Sequence, residues 1–573
     1  MNRFLFSTLL FLLLSLTACR DLPSSAVADG PTWCNPLPLD YRFAPDGVSR
    51  RDGSQPCVVL FGDTYYLFLS NAGGGYYASD DLCTWRQVES DLPPSLQAVA
   101  VAEMGGSLYL TADSTRAFYR SSSPGSGRWQ MVTDSFPYRL SDPSLFCDGD
   151  RLFLYAGSGD SVPLTGMELD PGTLMPLCAP VPLIESRKEK HGWEIPGDYH
   201  AWKDQKVWIE GTWMSCHEGR YYLQYTSSGI QYTGSNQGVY VGDNPLGPFE
   251  PAPHNPFAYK PEGFVRGAGT GCVFRDRYGN CWYAGTVAVS AQTYLFERRL
   301  ALYPLFFDAD GWMHACTALG DWPMTAPRRK ADSPSDFRAG WMLLSYGRKT
   351  RASSEVREHP SCCATDEDVR TWWSARSGDA GEYLQIDLEE VCRVYAVQVN
   401  FADDSSTLHG RQVNTCRYRM EVSSDGRRWQ PAGDASVRTA LTPHDYVVLP
   451  RPVSVRYVRV TNAGLSSGRF SVSDLRVFGR SDRRPPLPVE GLRAVRSADD
   501  RRDVTLRWKE SAGADGYLIR YGVAPDKLYH CYTVYGDNEV TIRSLHADRA
   551  YYFAADSFNA GGISSGQQTT EAL

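Results

Sequence analysis

Between residues 35 and 330 one hydrophobic pattern recurs five times. A short apolar or alternating run leads into a tight turn, then into a second run rich in Tyr and Leu, then into further strand-like sequence. The copies read PCVVLFGDTYYLFLS (56–70), AVAEMGGSLYLTAD (100–113), PSLFCDGDRLFLYAG (143–157), GTWMSCHEGRYYLQYTS (211–227) and GTGCVFRDRYGNCWYAGT (269–286). Turn pairs such as Gly62-Asp63, Gly149-Asp150 and Gly279-Asn280 sit where a hairpin needs them. Units of roughly 40 to 50 residues, each a small antiparallel sheet, predict a propeller, here with five blades. The innermost strand of each blade lines a central channel, so residues just ahead of the first strands converge on one face, where chemistry is expected. Farther on, period-two alternation in Val394–Val399 and Tyr457–Val460 predicts half-buried strands. The fold class is all-β.

An apolar run from Phe4 to Leu16 follows Arg3. It is too short to span a membrane and reads as a signal-peptide core. Leu16-Thr17-Ala18-Cys19 resembles a bacterial lipobox, which implies cleavage before Cys19 and lipidation there; ordinary signal cleavage is the plainer alternative. The expectation is an exported lipoprotein of the outer membrane or cell surface, with residues 1–18 removed and 19–34 a lipidated leash. A formal charge of -8 on 573 residues offers no basic footprint for nucleic acid. The cysteines form no CxxC pair or His/Cys cluster, which argues against structural zinc. Cys272 and Cys281 are a plausible disulfide across a hairpin.

The stretch WIEGTWMSCHEGRYYLQYTSSG (208–229) places Glu210 between Trp208 and Trp213. A carboxyl in a partly dry aromatic setting has a raised pKa, as a general acid working near neutral pH requires. The plainer reading is an ion-paired turn residue.

YYLFLS with SDDLCTW, SDPSLF, IEGTW with RYYLQY, GVYVGDNPLGPF and RDRYGNCWYAGT together resemble the five-bladed propeller of glycoside hydrolase family 43. The resemblance implies an inverting glycosidase acting on O-glycosidic bonds of a polysaccharide, with Glu210 as acid and Asp142 as the aspartate that tunes it. The family's base lies in an Asp-Pro pair, which here reads Gln55-Pro56. An amide can position water but cannot take its proton. Asp52, and less so Asp46, are the nearby substitutes. Where relatives carry a metal- or water-holding His, this chain has Thr270, so no metal is expected at the axis. Trp208, Trp213, Glu194, Arg266 and Thr270 are the substrate-binding candidates. The alternative is a non-catalytic glycan-binding protein that keeps the propeller pocket. No cofactor is implied.

After a linker (331–345), residues 346–480 resemble a discoidin-type (coagulation factor type C) sandwich, a jelly roll shared with carbohydrate-binding module family 32, through RASSE, ATDEDVRTWW, EYLQIDLEE, RYRMEVSSDGRRW, VRYVRVTN and DLRVFG. The resemblance assigns one of Trp372 and Trp373 to the core, and leaves Asp366 and Asp368 as candidates for a structural calcium site. After a second linker (481–488), residues 489–573 resemble a fibronectin type III sandwich, with Trp508, Tyr517 and a tyrosine corner at Tyr551. It reads as a spacer.

Overall fold

The five repeats fold as five antiparallel sheets. The computed structural model describes residues 30–71, 73–160, 162–288, 296–433, 437–566 and 568–573; Cys19 and the signal segment lie outside them. Blade 1 comprises Ser54–Phe61, Thr64–Ser70, Tyr76–Ser79 and Arg86–Val88. Blade 2 begins with Ala100–Met104, blade 3 with Ser144–Asp148, blade 4 with Trp208–His217 and blade 5 with Arg266–Arg275. The five leading strands pack against one another around the channel. The apolar faces between blades carry the stability. Tyr66, Phe68 and Tyr76 of blade 1 pack on Val101, Leu108 and Leu110 of blade 2, and comparable clusters fill the other four seams. Thr32–Trp33 pairs with Met324–Thr325 and ties the two ends of the propeller together.

The second domain is built on Tyr383–Phe401, His444–Leu465, Cys416–Ser423 and Ser471–Arg480. Burial alternates along Tyr383–Leu388 as expected, but every residue from Val394 to Phe401 is buried. Half-burial fails there because the second face of the sheet docks on the propeller. Gln398 donates to the Asn35 carbonyl (3.3 Å), and Asn400 bonds His444, whose other ring nitrogen meets Arg299 of blade 5. Arg476, fully buried, donates to both Glu367 oxygens (2.7 and 2.9 Å) and to the Asp321 carbonyl. Trp373 is core, and Trp372 stacks on His359.

The third domain is a sandwich of a three-stranded and a five-stranded sheet, and the Tyr551 hydroxyl accepts from the His546 N–H (3.1 Å). It is no free spacer. Lys527 pairs with Asp308 and Asp310 of blade 5, and Tyr529 stacks on His314 at 4.0 Å. The linkers are packed too: Phe337 and Trp341 are buried, and Ser481 donates to Glu390. Cys272 and Cys281 are both free thiols, because the hairpin register sets Ala284 opposite Cys272 and Arg275 opposite Cys281.

His254, His314 and His530 are buried together where blade 5 meets the third domain, beside Asp308, Lys527 and Tyr529. Burial pushes their pKa values down to about 4, about 4 and about 3. An unfolded histidine protonates near pH 6.5, so below that pH the unfolded chain binds more protons than the folded one. The stability these rings contribute is present above about pH 6.5 and lost as pH falls toward 4. The melting temperature is expected to drop across this window, and His530→Phe to flatten the drop. A variant curve parallel to that of the native protein would refute this assignment.

Candidate active site

Glu210 lies in the leading strand of blade 4, at an irregularity in its pairing where Gly211 adopts φ +62°. A side chain at 211 would strike Thr270, whose Cγ2 lies 2.5 Å from the position a Cβ would take. Glycine therefore lets the carboxyl-bearing strand turn beside the channel. Glu210 Oε2 accepts from the Trp208 indole N–H (2.7 Å) and from the Ser158 hydroxyl (3.2 Å). Asp142 sits at the start of blade 3 with φ +43° and is 8% exposed. Burial, with the carboxyls of Glu210 and Asp113 nearby, pushes its pKa well above the usual carboxylate range. Asp142 therefore keeps a proton where a free aspartate would lose it.

Gln55, at φ +54°, starts blade 1. Its Nε2 donates to Asp142 Oδ1 (2.6 Å), its Oε1 accepts from the Ser70 hydroxyl (2.6 Å), and its backbone N–H donates to Thr286 (2.8 Å). The residues predicted as acid, modulator and altered base are thus brought together around one cavity of about 490 Å³. Its walls include Trp208, Trp202, Tyr232, Phe296, Arg298 and Lys206. Among the described residues the lining holds no third carboxylate. Asp52 does not substitute as base: Arg298 clasps it through Nε and Nη2 (2.9 and 2.6 Å) and Asn71 caps it. Asp46 pairs with Arg50 instead.

The other candidates part company. Trp208, 45% exposed, lines the cavity. Trp213 lies deeper in the channel, its N–H given to the Val273 carbonyl (3.1 Å). Thr270 lies in the same neck, its hydroxyl buried without a hydrogen-bond partner among the described residues. Glu194 is fully buried and structural: it accepts from the Arg187 N–H and the Tyr225 hydroxyl (2.7 Å) and pairs with His191 (2.9 Å). Arg266 points away, toward Asp368 (3.5 Å) and Glu262. That guanidinium also supplies positive charge where Asp366 and Asp368 suggested calcium. Sequence reasoning missed Arg298, Phe296, Lys206 and Tyr232. An aromatic or basic residue in a long connection was the available signal, and it does not say which way a loop folds.

Two carboxyls and an amide thus gather at the first strands of three blades, with aromatic walls above them. Residues 46–313 match the glycosyl hydrolases family 43 model. Residues 349–473 match the F5/8 type C domain. Among solved structures, the chain is similar to a glycoside hydrolase (17% identity, TM-score 0.43, covering 74% of this chain and 97% of that one). It is also similar to a thermostable family-43 glycoside hydrolase (19%, TM-score 0.41, 50% and 100%) and to an endo-1,4-beta-xylanase from Bacteroides thetaiotaomicron (19%, TM-score 0.39, 46% and 94%). No curated protein matches the chain. The chain thus carries a family 43-type propeller joined to a discoidin-type sandwich.

Proposed function

We propose that this chain is an envelope-anchored lipoprotein of the glycosidase type, held by a lipid on Cys19, whose propeller takes a polysaccharide segment into the cavity above Glu210. The third domain is read as fibronectin type III-like. The observation that carries the activity is the carboxyl pair itself: Asp142 and Glu210 adjoin at the floor of an aromatic-walled cavity, where burial keeps a proton on Asp142. In this reading Glu210 delivers that proton to the glycosidic oxygen as the C–O bond breaks, and Asp142 holds and tunes it. Water adds to the anomeric carbon from the opposite face, giving inversion. Its proton passes to solvent and not to a positioned base, since both amide atoms of Gln55 are already engaged and neither is basic. Native turnover is therefore slow. The same engagement of Gln55, with Asp52 locked to Arg298, favours a second reading in which the cavity binds glycan without cutting it.

A screen of arabino-, xylo- and galacto-oligosaccharides with native protein and Glu210→Gln separates the two. The expected result is slow cleavage of at least one by native protein, abolished in Glu210→Gln with binding retained. Binding without cleavage by native protein would establish the second reading, and neither binding nor cleavage would reject both.

A further inference from the structure

Residues 185–206 connect blades 3 and 4 and supply Pro196, Trp202, Gln205 and Lys206 to the cavity wall. Their backbone is strained. Tyr199 and His200 stand consecutively in the left-handed region (φ 55° and 57°), and Gly197 (φ 91°) packs under the Trp202 indole. Non-glycine residues held there cost on the order of 1–3 kcal/mol each and persist where the surroundings over-determine them.

The surroundings here are the two C-terminal domains. Asp198, next to the strained pair, accepts two bonds from Arg370 of the discoidin-type domain (2.5 and 3.1 Å). Lys203, next to Trp202, bonds Asp500 and Asp503 of the third domain (2.6 and 2.7 Å). Upstream, the Gly192 N–H donates to the Leu545 carbonyl (2.9 Å) and the Ala547 N–H to the Lys190 carbonyl (2.8 Å), so the segment adds itself to the edge of the third domain. Arg502 caps the Lys188 carbonyl (2.6 Å). Trp202 itself, 47% exposed, meets only Tyr232 edge-on at 4.8 Å among ring contacts of the described residues. Its position is therefore set by the bonds on either side of it.

We propose that Arg370 and the Asp500–Asp503 pair are positioning residues for the cavity: each C-terminal domain grips one end of the strained turn and so presents Trp202 and its neighbours as a wall for sugar units beyond the one at Glu210. The C-terminal half then sets oligosaccharide affinity through the propeller's own loop. This rests on the cavity being the sugar site.

The test compares the full chain with Arg370→Asp, Lys203→Met and the charge-swapped Asp198→Arg/Arg370→Asp. Two readouts are used: amide hydrogen exchange of residues 185–206, and calorimetric affinity for arabino-, xylo- and galacto-hexaose. The expected result is exchange faster by tenfold or more within 185–206 in each single variant, with other segments unchanged. Affinity falls by about 5–150-fold, the usual range of coupling between distant sites. The swapped variant recovers both. Unchanged exchange, or faster exchange with unchanged affinity, overturns the proposal. Should no hexaose bind any protein, the sugar-site reading fails, and exchange alone decides whether these residues hold the wall.

Discussion

Gln55→Asp is expected to raise the rate of glycoside hydrolysis by about 10²–10⁴, the usual contribution of a positioned general base. The position is already shaped for the task. Its left-handed backbone, the Thr286 bond and the Ser70 hydroxyl hold residue 55 facing Asp142, and the shorter Asp side chain withdraws from Asp142 and leaves space for water. The pH profile changes with it. A carboxylate base works only when ionised, so activity should rise with pH through its pKa, then fall as the Asp142–Glu210 pair loses its proton; native protein should lack the rising limb. Product release from the oligosaccharides that native protein binds, with anomeric configuration read by NMR, measures this. Binding by Gln55→Asp with no gain in cleavage would mean that more than the base has been lost from the cavity.

The second large effect belongs to the joint between propeller and discoidin-type domain. Arg476→Met is expected to cost about 3–5 kcal/mol, because removing one partner of a buried pair strands the other. Glu367 would keep its buried carboxyl without its two bonds, and Asp321 would retain Lys260 (3.3 Å) as its nearby cation among the described residues. Adding Glu367→Leu should recover a good part of the loss, since what is costly is the uncompensated charge. Denaturant midpoints of the native, single and double variants measure both. Equal midpoints for native protein and Arg476→Met would show that the pair contributes nothing to the joint.

The readable parts of the sequence were those whose structure is decided locally. The Gly-Asp and Gly-Asn turns of blades 1, 3 and 5 fix hairpins by backbone conformation alone, and five hairpins at blade spacing leave little freedom in the architecture. Asp142, Glu210 and Gln55 each sit at the start of a first strand, so the propeller itself brings them together. Arg266 occupies a comparable start and yet turns toward Asp368, because a second domain offers it a carboxylate. Glu194 looked like a loop carboxylate free to meet substrate, but it holds its own loop together. Arg298 was invisible as a cavity residue, since nothing local indicates that it would clasp Asp52 there. Gln398 and Asn400 illustrate the same limit: polar residues in strand alternation read as a wet face, and here that face meets the propeller. The one cue was that these positions carry amides, which suit buried hydrogen bonding better than the Lys and Glu of a solvated strand.

That polar face of the discoidin-type sheet bears on how such a chain can be assembled or cut. A domain that travels between proteins must present a surface content with water, and this one carries an arginine whose acids lie partly on its neighbour. Grafted elsewhere, it would lose the Asp321 carbonyl that Arg476 bonds and the Asn35 carbonyl that Gln398 bonds; severed from it, the propeller would expose Asn35 and the Asp321–Lys260 pair to solvent. The two halves are therefore a single inheritance, and expression boundaries drawn between them should yield neither part in soluble form.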